Sequence, residues 1–543
     1  MPLESETVGF VVIGSGPAAM AAAAALVRAG RRITILDFGS ELEPARREAL
    51  AELASKEKSE WSAAALRAIS PPEATHRGRK DLGHAKRSYG SSYSFAGDSS
   101  PVGLIWEKGK PFNHSLAKGG LSNVWGSSML PMRAADMPGW PLPLTDLEPH
   151  YKAVAEFVPT TRSGADIDSI LPAYTATSHR IPLSSQARAL LDDLANHRDN
   201  LGKQGIHFGE SRLAIRAEGD SRHKPCNLCG RCLTGCPYSL IYSSAQTLDE
   251  LLQSPLVTYL PGRFVESIES SGETITIHGH DTKDSSPFRI TATRAFLGAG
   301  VLPTAKIILA SLPTEKRRVR LPDSQYFIYP LLRFSSVPYA ETEEKHTSAQ
   351  IFLEIDDSAI SPHLVHIQLY GHSDFLVKEL EATFLRIPLR WKWFRKNFIG
   401  RLMIAQGFLH SCHSGSIDLE LTYSPAGKTT LTAACNPSFR AFQKVLHIGW
   451  KLLTHAFEIR AIPLFPGLKF PDPGASYHSG GSFPMSARPD GSQTDTLGRL
   501  VEHPRLHIVD ASVLPSVPAT TVTFTVMANS HRIATAAAAL DPS

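Results

Sequence analysis

Residues 8–37 read VGFVVIGSGPAAMAAAAALVRAGRRITILD, and this stretch sets the class of fold. The apolar run VGFVVI predicts a β-strand, GSGPAA a glycine turn, the alanine-rich stretch a helix, and RRITILD a second strand. These elements in this order form half of a doubly wound α/β unit. Gly14, Gly16 and Ala19 fit the G-x-G-x-x-G/A fingerprint, and Asp37 ends the second strand, where a carboxylate accepts hydrogen bonds from a ribose. The sequence therefore predicts a dinucleotide site, and the fingerprint alone fits FAD and NAD equally.

The composition is that of a folded protein with several domains. A chain of 543 residues, with 42% hydrophobic and 20% charged residues, is long and apolar enough for about two to four domains. The net charge of +4 is small, and no lysine and arginine block is long enough to follow a phosphate backbone, which excludes nucleic acid as a partner. The N-terminal residues show no basic region followed by a cleavable apolar stretch, and we expect a cytoplasmic protein.

A short run holds most of the cysteines. Four of the six fall within eleven residues, in CNLCGRCLTGCP, and they are Cys226, Cys229, Cys232 and Cys236. The spacing C-x2-C-x2-C-x3-C-P is that of bacterial ferredoxin ligands, and thiolates on such a loop can surround an iron–sulfur cluster, either 4Fe-4S or 3Fe-4S. Structural zinc more often uses two distant pairs, but zinc, disulfides and free thiols stay open as alternatives. In two-cluster ferredoxins the fourth cysteine binds the other cluster, and this chain has no second run.

Four further segments resemble the flavin-contacting segments of the glucose–methanol–choline oxidoreductases, in order and in approximate spacing. They are GGLSNVWGSSMLP (119–131), LGAGVLPTAKIILAS (297–311), YHSGGSFPM (477–485) and LHIVDASVLPSVPATTVTFTVMAN (506–529). The cysteine run is similar to that of the membrane-associated FAD sugar dehydrogenases. The motifs of the chain also resemble those of pyranose oxidase-like members of the family. By that similarity Cys226, Cys232 and Cys236 match the ligands of a three-iron cluster, and Cys229 is an addition that could complete a four-iron one. The resemblance implies an FAD enzyme that oxidises a carbon-bound hydroxyl group.

The resemblance also implies an α/β fold, in which a Rossmann-type FAD-binding domain is interleaved with a substrate domain containing an antiparallel sheet. Alternating runs such as SAQIFLEI and SIDLELTY in residues 326–470 fit that substrate domain. We expect residues 1–325 to form the FAD-binding domain, with the cysteine-rich segment inserted at about 205–245. Residues 471–543 are expected to return to the FAD-binding domain.

Cofactor contacts beyond the fingerprint follow from the resemblance. The predicted binding residues are Gly119, Gly120, Ser122, Val265, Ala299, Asp510 and Ala511. The resemblance implies that the loop at 119–122 lies along the isoalloxazine ring and that the segment around 265 meets the adenine. It puts the small pair 299–300 near the pyrophosphate and residues 510–511 under the ribityl chain. Where relatives with covalent flavin carry a histidine, this chain has Val124, which predicts non-covalent FAD.

Oxidation of an alcohol by flavin requires a base that removes the hydroxyl proton while hydride leaves. His478, in the glycine-rich loop YHSGGS, matches the catalytic histidine of the family, and imidazole suits this task. The second catalytic position, usually histidine or asparagine, falls on Thr521, whose hydroxyl can donate a hydrogen bond but cannot act as a base at neutral pH. Thr520 and His531 are the alternatives for that role.

The leading functional prediction is a dehydrogenase of a sugar or other alcohol, with electrons passing from FAD to the iron–sulfur cluster and then to a protein or quinone acceptor. An oxygen-using oxidase of a hydrophobic alcohol, with structural cysteines, is the first alternative, and a catalytically inactive flavin-fold subunit is the second. The region of Gln368, Tyr370, His372, His410 and His413 is a candidate polar pocket. The aromatic and basic segment 384–399 fits either a packed helix or a patch that contacts a membrane or partner.

Overall fold

The computed structural model describes residues 7–70, 87–95, 100–109, 112–162, 167–175, 179–313, 317–373, 398–423 and 429–540. Its strands are β1 Val8–Ile13, β2 Ile33–Asp37, β3 Leu104–Lys108, β4 Ile206–Glu210, β5 Val257–Pro261, β6 Arg263–Ser271, β7 Thr274–Asp281, β8 Pro287–Leu297, β9 Arg318–Pro322, β10 Tyr326–Arg333, β11 Ile351–Ile355, β12 Val365–Tyr370, β13 Leu402–Phe408, β14 Ser416–Tyr423, β15 Thr429–Asn436, β16 Ala461–Pro463 and β17 Leu506–Ile508. Its helices are α1 Pro17–Arg28, α2 Pro44–Ser55, α3 Ala63–Ala68, α4 Glu148–Phe157, α5 Ser185–Ala195, α6 Arg198–Lys203, α7 Ser244–Leu251, α8 Val301–Ser311, α9 Phe439–Thr454, α10 Ala456–Ile459 and α11 Val522–Leu540.

The first sheet contains the predicted dinucleotide unit. Its order is β5-β2-β1-β8-β7-β6, with β17 also paired to β8. Strands β5, β2, β1, β8 and β17 run parallel, whereas β7 and β6 are antiparallel additions at one end. Helix α1 is buried along most of its length because its residues are small and apolar, and it packs against α11 near the C-terminus. The mixed α/β fold predicted from the sequence is confirmed.

The second sheet is antiparallel and has two different faces. Its order is β16-β10-β13-β12-β11-β4. Since side chains alternate along a strand, one face carries Phe327, Ile367 and Ala405 into an apolar core with helices α5 and α9. The other face carries residues 326, 328, 368, 370, 404, 406 and 408 toward the large cavity described below. The alternation therefore builds a core and a cavity wall from the same strands.

A third sheet, of order β3-β15-β14-β9, completes the architecture. Strand β3 comes from residues 104–108 and pairs in parallel with β15. Strand β4, within the segment 205–245, pairs with β11 of the second sheet. Segments from the first half of the chain thus contribute to all three sheets, while the domain boundaries at 325 and 470 stay predictions. Residues 384–397 of the aromatic and basic segment lie outside the described residues.

Among the described residues, no helix is both long enough and apolar enough to cross a membrane.

Candidate active site

One cavity of about 390 Å³ extends from the glycine turn of the first sheet to the wall formed by the second. Gly14, Gly16 and Asp37 line it at one end, and His478 and Tyr370 line it at the other. Most of the predicted cofactor residues border this cavity, and these are Gly14, Gly16, Asp37, Gly120, Ser122, Val265, Ala299, Asp510 and Ala511. The predicted nucleotide contacts and the predicted base therefore share one continuous space.

The fingerprint residues pack as tightly as their small size suggests. Gly14 has φ of 101°, and a Cβ atom there would lie 2.7 Å from the backbone oxygen of Gly298 at the end of β8. Ala19 is fully buried, and its backbone and Cβ would lie about 3.0 Å from any Cβ placed on Gly298. Ala19 does not line the cavity. Its small side chain instead allows helix α1 to pack closely on the sheet, which is the role of the third position of the fingerprint.

A serine within the turn joins two predicted cofactor contacts. The hydroxyl of Ser15 donates to the Asp37 carboxylate at 2.6 Å and accepts the backbone N–H of Gly119 at 2.9 Å. Asp37 also accepts a hydrogen bond from the Tyr259 hydroxyl at 3.1 Å. Burial raises the pKa of Asp37 to about 6, and the hydrogen bonds from Ser15 and Tyr259 offset part of that effect. Gly119 lies behind the cavity lining and is held in place by Ser15.

The loop after residue 119 forms one side of the cavity. The hydroxyl of Ser122 donates to the backbone oxygen of Gly119 at 2.5 Å, which closes this turn on itself. Gly120 has φ of 58°, and a Cβ atom there would lie 3.3 Å from the Cα atom of Gly16. Val124 also lines the cavity, and its side chain has no nucleophilic atom for flavin attachment.

Asp510 organises the opposite side. Its carboxylate accepts the backbone N–H of Gly300 at 2.9 Å and the Thr304 hydroxyl at 2.6 Å, so it caps the N-terminus of helix α8. Its other oxygen accepts the backbone N–H of Ser512 at 3.0 Å. Burial raises the pKa of Asp510, partly offset by these hydrogen bonds. Ala299 precedes the same helix terminus, where backbone N–H groups favour a pyrophosphate.

The polar atoms around the cavity fit FAD. The hydroxyls of Ser127 and Ser128 border it, are buried, and have no hydrogen-bond partner among the described residues. Buried polar groups without partners are costly, and a ligand with many acceptors and donors would satisfy them. Together with the glycine cradle at Gly14, the Asp37 carboxylate and the start of helix α8, these hydroxyls match the needs of a dinucleotide.

His478 lies in a tightly held loop at the far end of the cavity. Its backbone N–H donates to the Ser476 hydroxyl at 2.9 Å, and its carbonyl oxygen accepts the N–H of Ser324 at 2.9 Å. The buried Asp323 carboxylate accepts hydrogen bonds from Ser476 at 3.0 Å and from Ser479 at 2.7 Å. The residues on both sides of His478 are thus fixed by one carboxylate, which holds the imidazole at the cavity.

The second catalytic position differs from the expectation in its hydrogen bonding. Thr521 lines the cavity, but its hydroxyl donates to the backbone oxygen of Ser128 at 2.9 Å. The donor is therefore engaged, and only lone pairs of Thr521 face the space. His531 lies on α11 away from the cavity lining and shares a hydrogen bond with His150, with the two Nδ1 atoms 2.9 Å apart. Thr520 is buried behind the lining.

A buried chain of side chains supports the cavity wall. The Glu354 carboxylate is 2.7 Å from Nδ1 of His366, whose Nε2 is 3.2 Å from the amide nitrogen of Gln368. Because an amide nitrogen only donates, Nε2 of His366 accepts, and its proton sits on Nδ1 facing Glu354. The Tyr370 hydroxyl donates to the Gln368 carbonyl oxygen at 2.7 Å. The oxygen of Tyr370 is left as an acceptor at the cavity.

The candidate pocket residues divide into two groups. Gln368 and Tyr370 line the cavity as expected, whereas His372, His410 and His413 do not. Sequence reasoning missed Glu354 and His366, although alternation along β11 and β12 places polar residues at buried positions, which is a detectable signal. It also missed Phe408, whose side chain is an ordinary aromatic in a strand.

The cysteine run lies beside the cavity wall. Leu233, between Cys232 and Cys236, lines the cavity, and Cys226 and Cys236 pack in the apolar cluster that contains Tyr370 and Phe408. Burial, and next the charge of Cys232, raise the pKa of Cys236 to about 12 and of Cys229 to about 11. The thiols are therefore near enough to influence one another.

Backbone contacts join the run to residues 345–347. The backbone N–H of Thr347 donates to the sulfur of Cys232 at 3.5 Å. Lys345 is buried, and its backbone bridges Cys229 and donates to the oxygen of Leu228 at 3.1 Å. Among the described residues, the four cysteines do not form a group of metal ligands whose atoms converge within 4.8 Å.

Comparison with known proteins agrees with this geometry. The fold and the family match of the C-terminal segment together indicate the class of protein, an FAD-dependent oxidoreductase. Residues 472–530, which carry His478, Asp510 and Thr521, match the family model described as GMC oxidoreductase. No relative of curated function matches the chain at the level of sequence.

Solved structures extend the likeness of fold to almost the whole chain. Pyridoxine 4-oxidase from Mesorbium loti superimposes with a TM-score of 0.56 at 14% identity, over 97% of this chain and 98% of that chain. A formate oxidase variant from Aspergillus oryzae RIB40, studied for FAD modification, superimposes with a TM-score of 0.60 at 12% identity, over 98% of each chain. At these identities the similarity concerns the fold.

Proposed function

We propose that this protein is an FAD-dependent dehydrogenase that oxidises a hydroxyl group of a neutral sugar or other alcohol. The observation that carries the proposal is the single cavity that joins the glycine cradle at Gly14 to His478 and Tyr370. A dinucleotide held by the cradle would share this cavity with the histidine, because residues of the glycine turn and His478 both line it. We also propose that the protein is located in the cytoplasm.

The chemistry assigns one task to His478. Oxidation of an alcohol removes a proton from oxygen and a hydride from carbon and leaves a carbonyl group. FAD, when bound, supplies the acceptor of the hydride. His478 takes the hydroxyl proton, while Phe408 and the loop around Asp323 keep its ring in place. Thr521 accepts rather than donates at the cavity, so it orients a hydroxyl or a water instead of acting as a second acid.

The cavity wall supports a neutral substrate that donates a hydrogen bond. Among the described lining residues near His478 are Tyr326, Gln368, Tyr370 and Gln406, and neither lysine nor arginine occurs there. A carboxylate or phosphate would lack a counter-charge at this end of the cavity. The acceptor oxygen of Tyr370 instead suits a hydroxyl proton. A partly apolar alcohol or a sugar matches this combination.

Electron exit is the second part of the proposal. We assign Cys226, Cys232 and Cys236, with Cys229 as a possible fourth ligand, to an iron–sulfur cluster that passes electrons to a protein or quinone. Leu233 supports this assignment, since it lies between two of the cysteines and lines the substrate cavity. The backbone N–H of Thr347 supports it as well, because it donates to the sulfur of Cys232. Segment 384–399 is proposed to contact the acceptor or a membrane surface.

An oxygen-using oxidase with structural cysteines is the second candidate. Both superimposed structures are of oxidases, a pyridoxine 4-oxidase and a formate oxidase, and this favours oxygen as the acceptor. The same cavity and the same base would serve that reaction. The two candidates differ in the electron acceptor, in the role of the cysteines and in the substrate, which for the oxidase is a hydrophobic alcohol.

One experiment separates them. Protein purified without oxygen, with iron supplied during expression, is analysed for FAD, iron and sulfide, and is then mixed with a panel of neutral alcohols and sugars. The dehydrogenase requires iron and sulfide in stoichiometric amount and faster turnover with a one-electron dye than with oxygen. Iron-free protein that produces peroxide stoichiometrically would establish the oxidase. Flavin that no alcohol in the panel bleaches would favour the inactive subunit.

A further inference from the structure

Three potential metal ligands converge outside the cavity, at one end of the second sheet. Ligand atoms of His363, His410 and Cys412 all lie within 4.8 Å of one another. Their meeting follows from the strand register, because β12 and β13 are antiparallel and His366 stands opposite Phe408. Residues just before β12 and just after β13 therefore reach the same edge.

Two consecutive backbone carbonyls orient the histidines. Nδ1 of His363 is 3.1 Å from the oxygen of Ala135, and Nε2 of His410 is 3.1 Å from the oxygen of Asp136. Carbonyl oxygens only accept, so these two nitrogens carry the protons. The lone pairs then belong to Nε2 of His363 and Nδ1 of His410. Histidines that bind metals almost always donate their other N–H to a carbonyl or carboxylate in this way.

The acceptor nitrogen of His410 faces the cysteine. The backbone N–H of Cys412 donates to Nδ1 of His410 at 3.2 Å, so a bound ion would take the place of this hydrogen bond, and the rings of His363 and His410 stack with centroids 4.0 Å apart. Cys412 is exposed, so its side chain can adjust and its proton can leave to solvent.

We propose that His363, His410 and Cys412 bind one Zn²⁺ ion. Two imidazoles and one thiolate are ligands that zinc prefers, with a water completing the tetrahedron. Tetrahedral bonds place such ligand atoms about 3.5 Å apart, so the exposed Cys412 side chain moves inward on binding. The thiol loses one proton to solvent as the zinc–sulfur bond forms. The Asp136 carboxylate, with one oxygen 3.7 Å from Nδ1 of His363, adds negative charge behind the ligands.

The ion would join the start of β12 to the end of β13, at a point where β13 contacts the C-terminal segment. His410 follows Phe408 by two residues, and Phe408 stacks on His478. Ser411 and Val517 exchange hydrogen bonds of 3.0 and 2.9 Å in the same loop. A zinc ion at this point therefore holds the end of the strand that positions the proposed base.

The test is a zinc titration of the FAD-bound protein, after removal of loosely bound metal by a chelator, against a coloured competing chelator. Wild type should bind one equivalent more than Cys412→Ser and His363→Ala, or bind it with an affinity at least about tenfold higher. His413→Ala is the matched control and should keep the equivalent, because Nε2 of His413 bonds the Ser361 hydroxyl at 3.0 Å and its ring centre is 5.8 Å from that of His363.

A further variant distinguishes zinc binding at this site from metal binding at the cysteine run. Cys232→Ser should retain the extra equivalent, whereas a titration that changes in Cys232→Ser and not in Cys412→Ser would overturn the proposal. Co²⁺ provides a second readout, since tetrahedral coordination with a thiolate gives intense visible bands that Cys412→Ser should lose. Equal zinc stoichiometry and affinity in wild type and Cys412→Ser would also refute the site. Retained flavin absorbance confirms that each variant is folded, and none of these measurements depends on substrate turnover.

Discussion

The imidazole ring of His478 stacks on the phenyl ring of Phe408, with centroids 4.8 Å apart and planes inclined by 27°. His478 belongs to the C-terminal part of the chain, and Phe408 ends strand β13 of the second sheet. The orientation of the proposed base thus depends on contact between two separate parts of the structure. The position of the His478 imidazole therefore depends on the packing of the second sheet.

The first prediction concerns the base. His478→Ala should keep FAD but lose at least about a hundredfold in the rate of flavin reduction by alcohol, since general-base catalysis contributes that much or more. Stopped-flow absorbance of the flavin measures the rate. His531→Ala is the control histidine, because it lies outside the cavity lining, and it should reduce at a near-normal rate. Comparable losses in both variants would move the base away from His478.

The second prediction concerns the flavin linkage. Val124 offers no atom for covalent attachment, so acid or heat should release all FAD into the supernatant. Absorbance of the separated protein and supernatant decides the outcome. Yellow colour that remains with the precipitated polypeptide would contradict non-covalent binding.

The third prediction compares two glycines that both have positive φ. Gly14→Ala places a Cβ atom 2.7 Å from the backbone oxygen of Gly298, and backbone on both sides prevents relief. A Cβ atom on Gly30, just after the end of α1, would meet no atom within 4 Å. Gly30→Ala should therefore lower the free energy of unfolding only through its φ of 73°, by about 1–2 kcal/mol. Gly14→Ala should lose FAD and unfold at a clearly lower temperature than Gly30→Ala. Equal melting temperatures and FAD contents would show that the close approach to Gly298 does not matter.

The fourth prediction concerns the cysteine run. Cys232→Ser should lose the broad visible absorption of the cluster and most turnover with a one-electron acceptor, yet substrate should still bleach the FAD, because proton removal at His478 does not need the cluster. Electron paramagnetic resonance of Cys229→Ser then distinguishes the ligand sets. A surviving cluster with an altered signal indicates three iron atoms, and complete loss indicates four thiolate ligands. Unchanged acceptor turnover in Cys232→Ser would argue against an electron path through the run.

The fifth prediction concerns pH and Asp37. Burial raises its pKa from 3.8 to about 6, so the folded flavin-free protein holds this proton more tightly than the unfolded chain does. The folded state is therefore favoured below about pH 4, and this contribution is lost as the pH rises toward 6, in total about 3 kcal/mol at about 1.4 kcal/mol per pKa unit.

Melting temperatures of the flavin-free wild type and of Asp37→Asn, measured from pH 4 to 7, test this coupling. The difference between the two proteins should change in favour of Asp37→Asn as the pH rises. Asp323, whose pKa burial also raises to about 6, is present in both and cancels in the comparison. Parallel curves would show that Asp37 titrates normally in the folded protein.

The dinucleotide unit was predictable from the sequence because its determinants are local. Strand periodicity, the glycine turn and the alanine-rich helix all lie within residues 8–37, and the structure forms β1, α1 and β2 there. The spacing of the four cysteines is also local, because all of them lie within residues 226–236. His478 and the segment around Asp510 required the resemblance to known oxidoreductases, since no short-range physical rule distinguishes one histidine among 22.

Tertiary structure alone decided which distant residues meet. The proton on His366, and with it the acceptor oxygen of Tyr370, depends on Glu354 from the neighbouring strand. The Thr521 hydroxyl bonds Ser128 across almost four hundred residues. His363, His410 and Cys412 converge because two antiparallel strands end at the same edge. Hydrogen bonds and metal ligation act over a few ångströms, so they follow strand register and chain packing, which periodicity and spacing in the sequence do not encode.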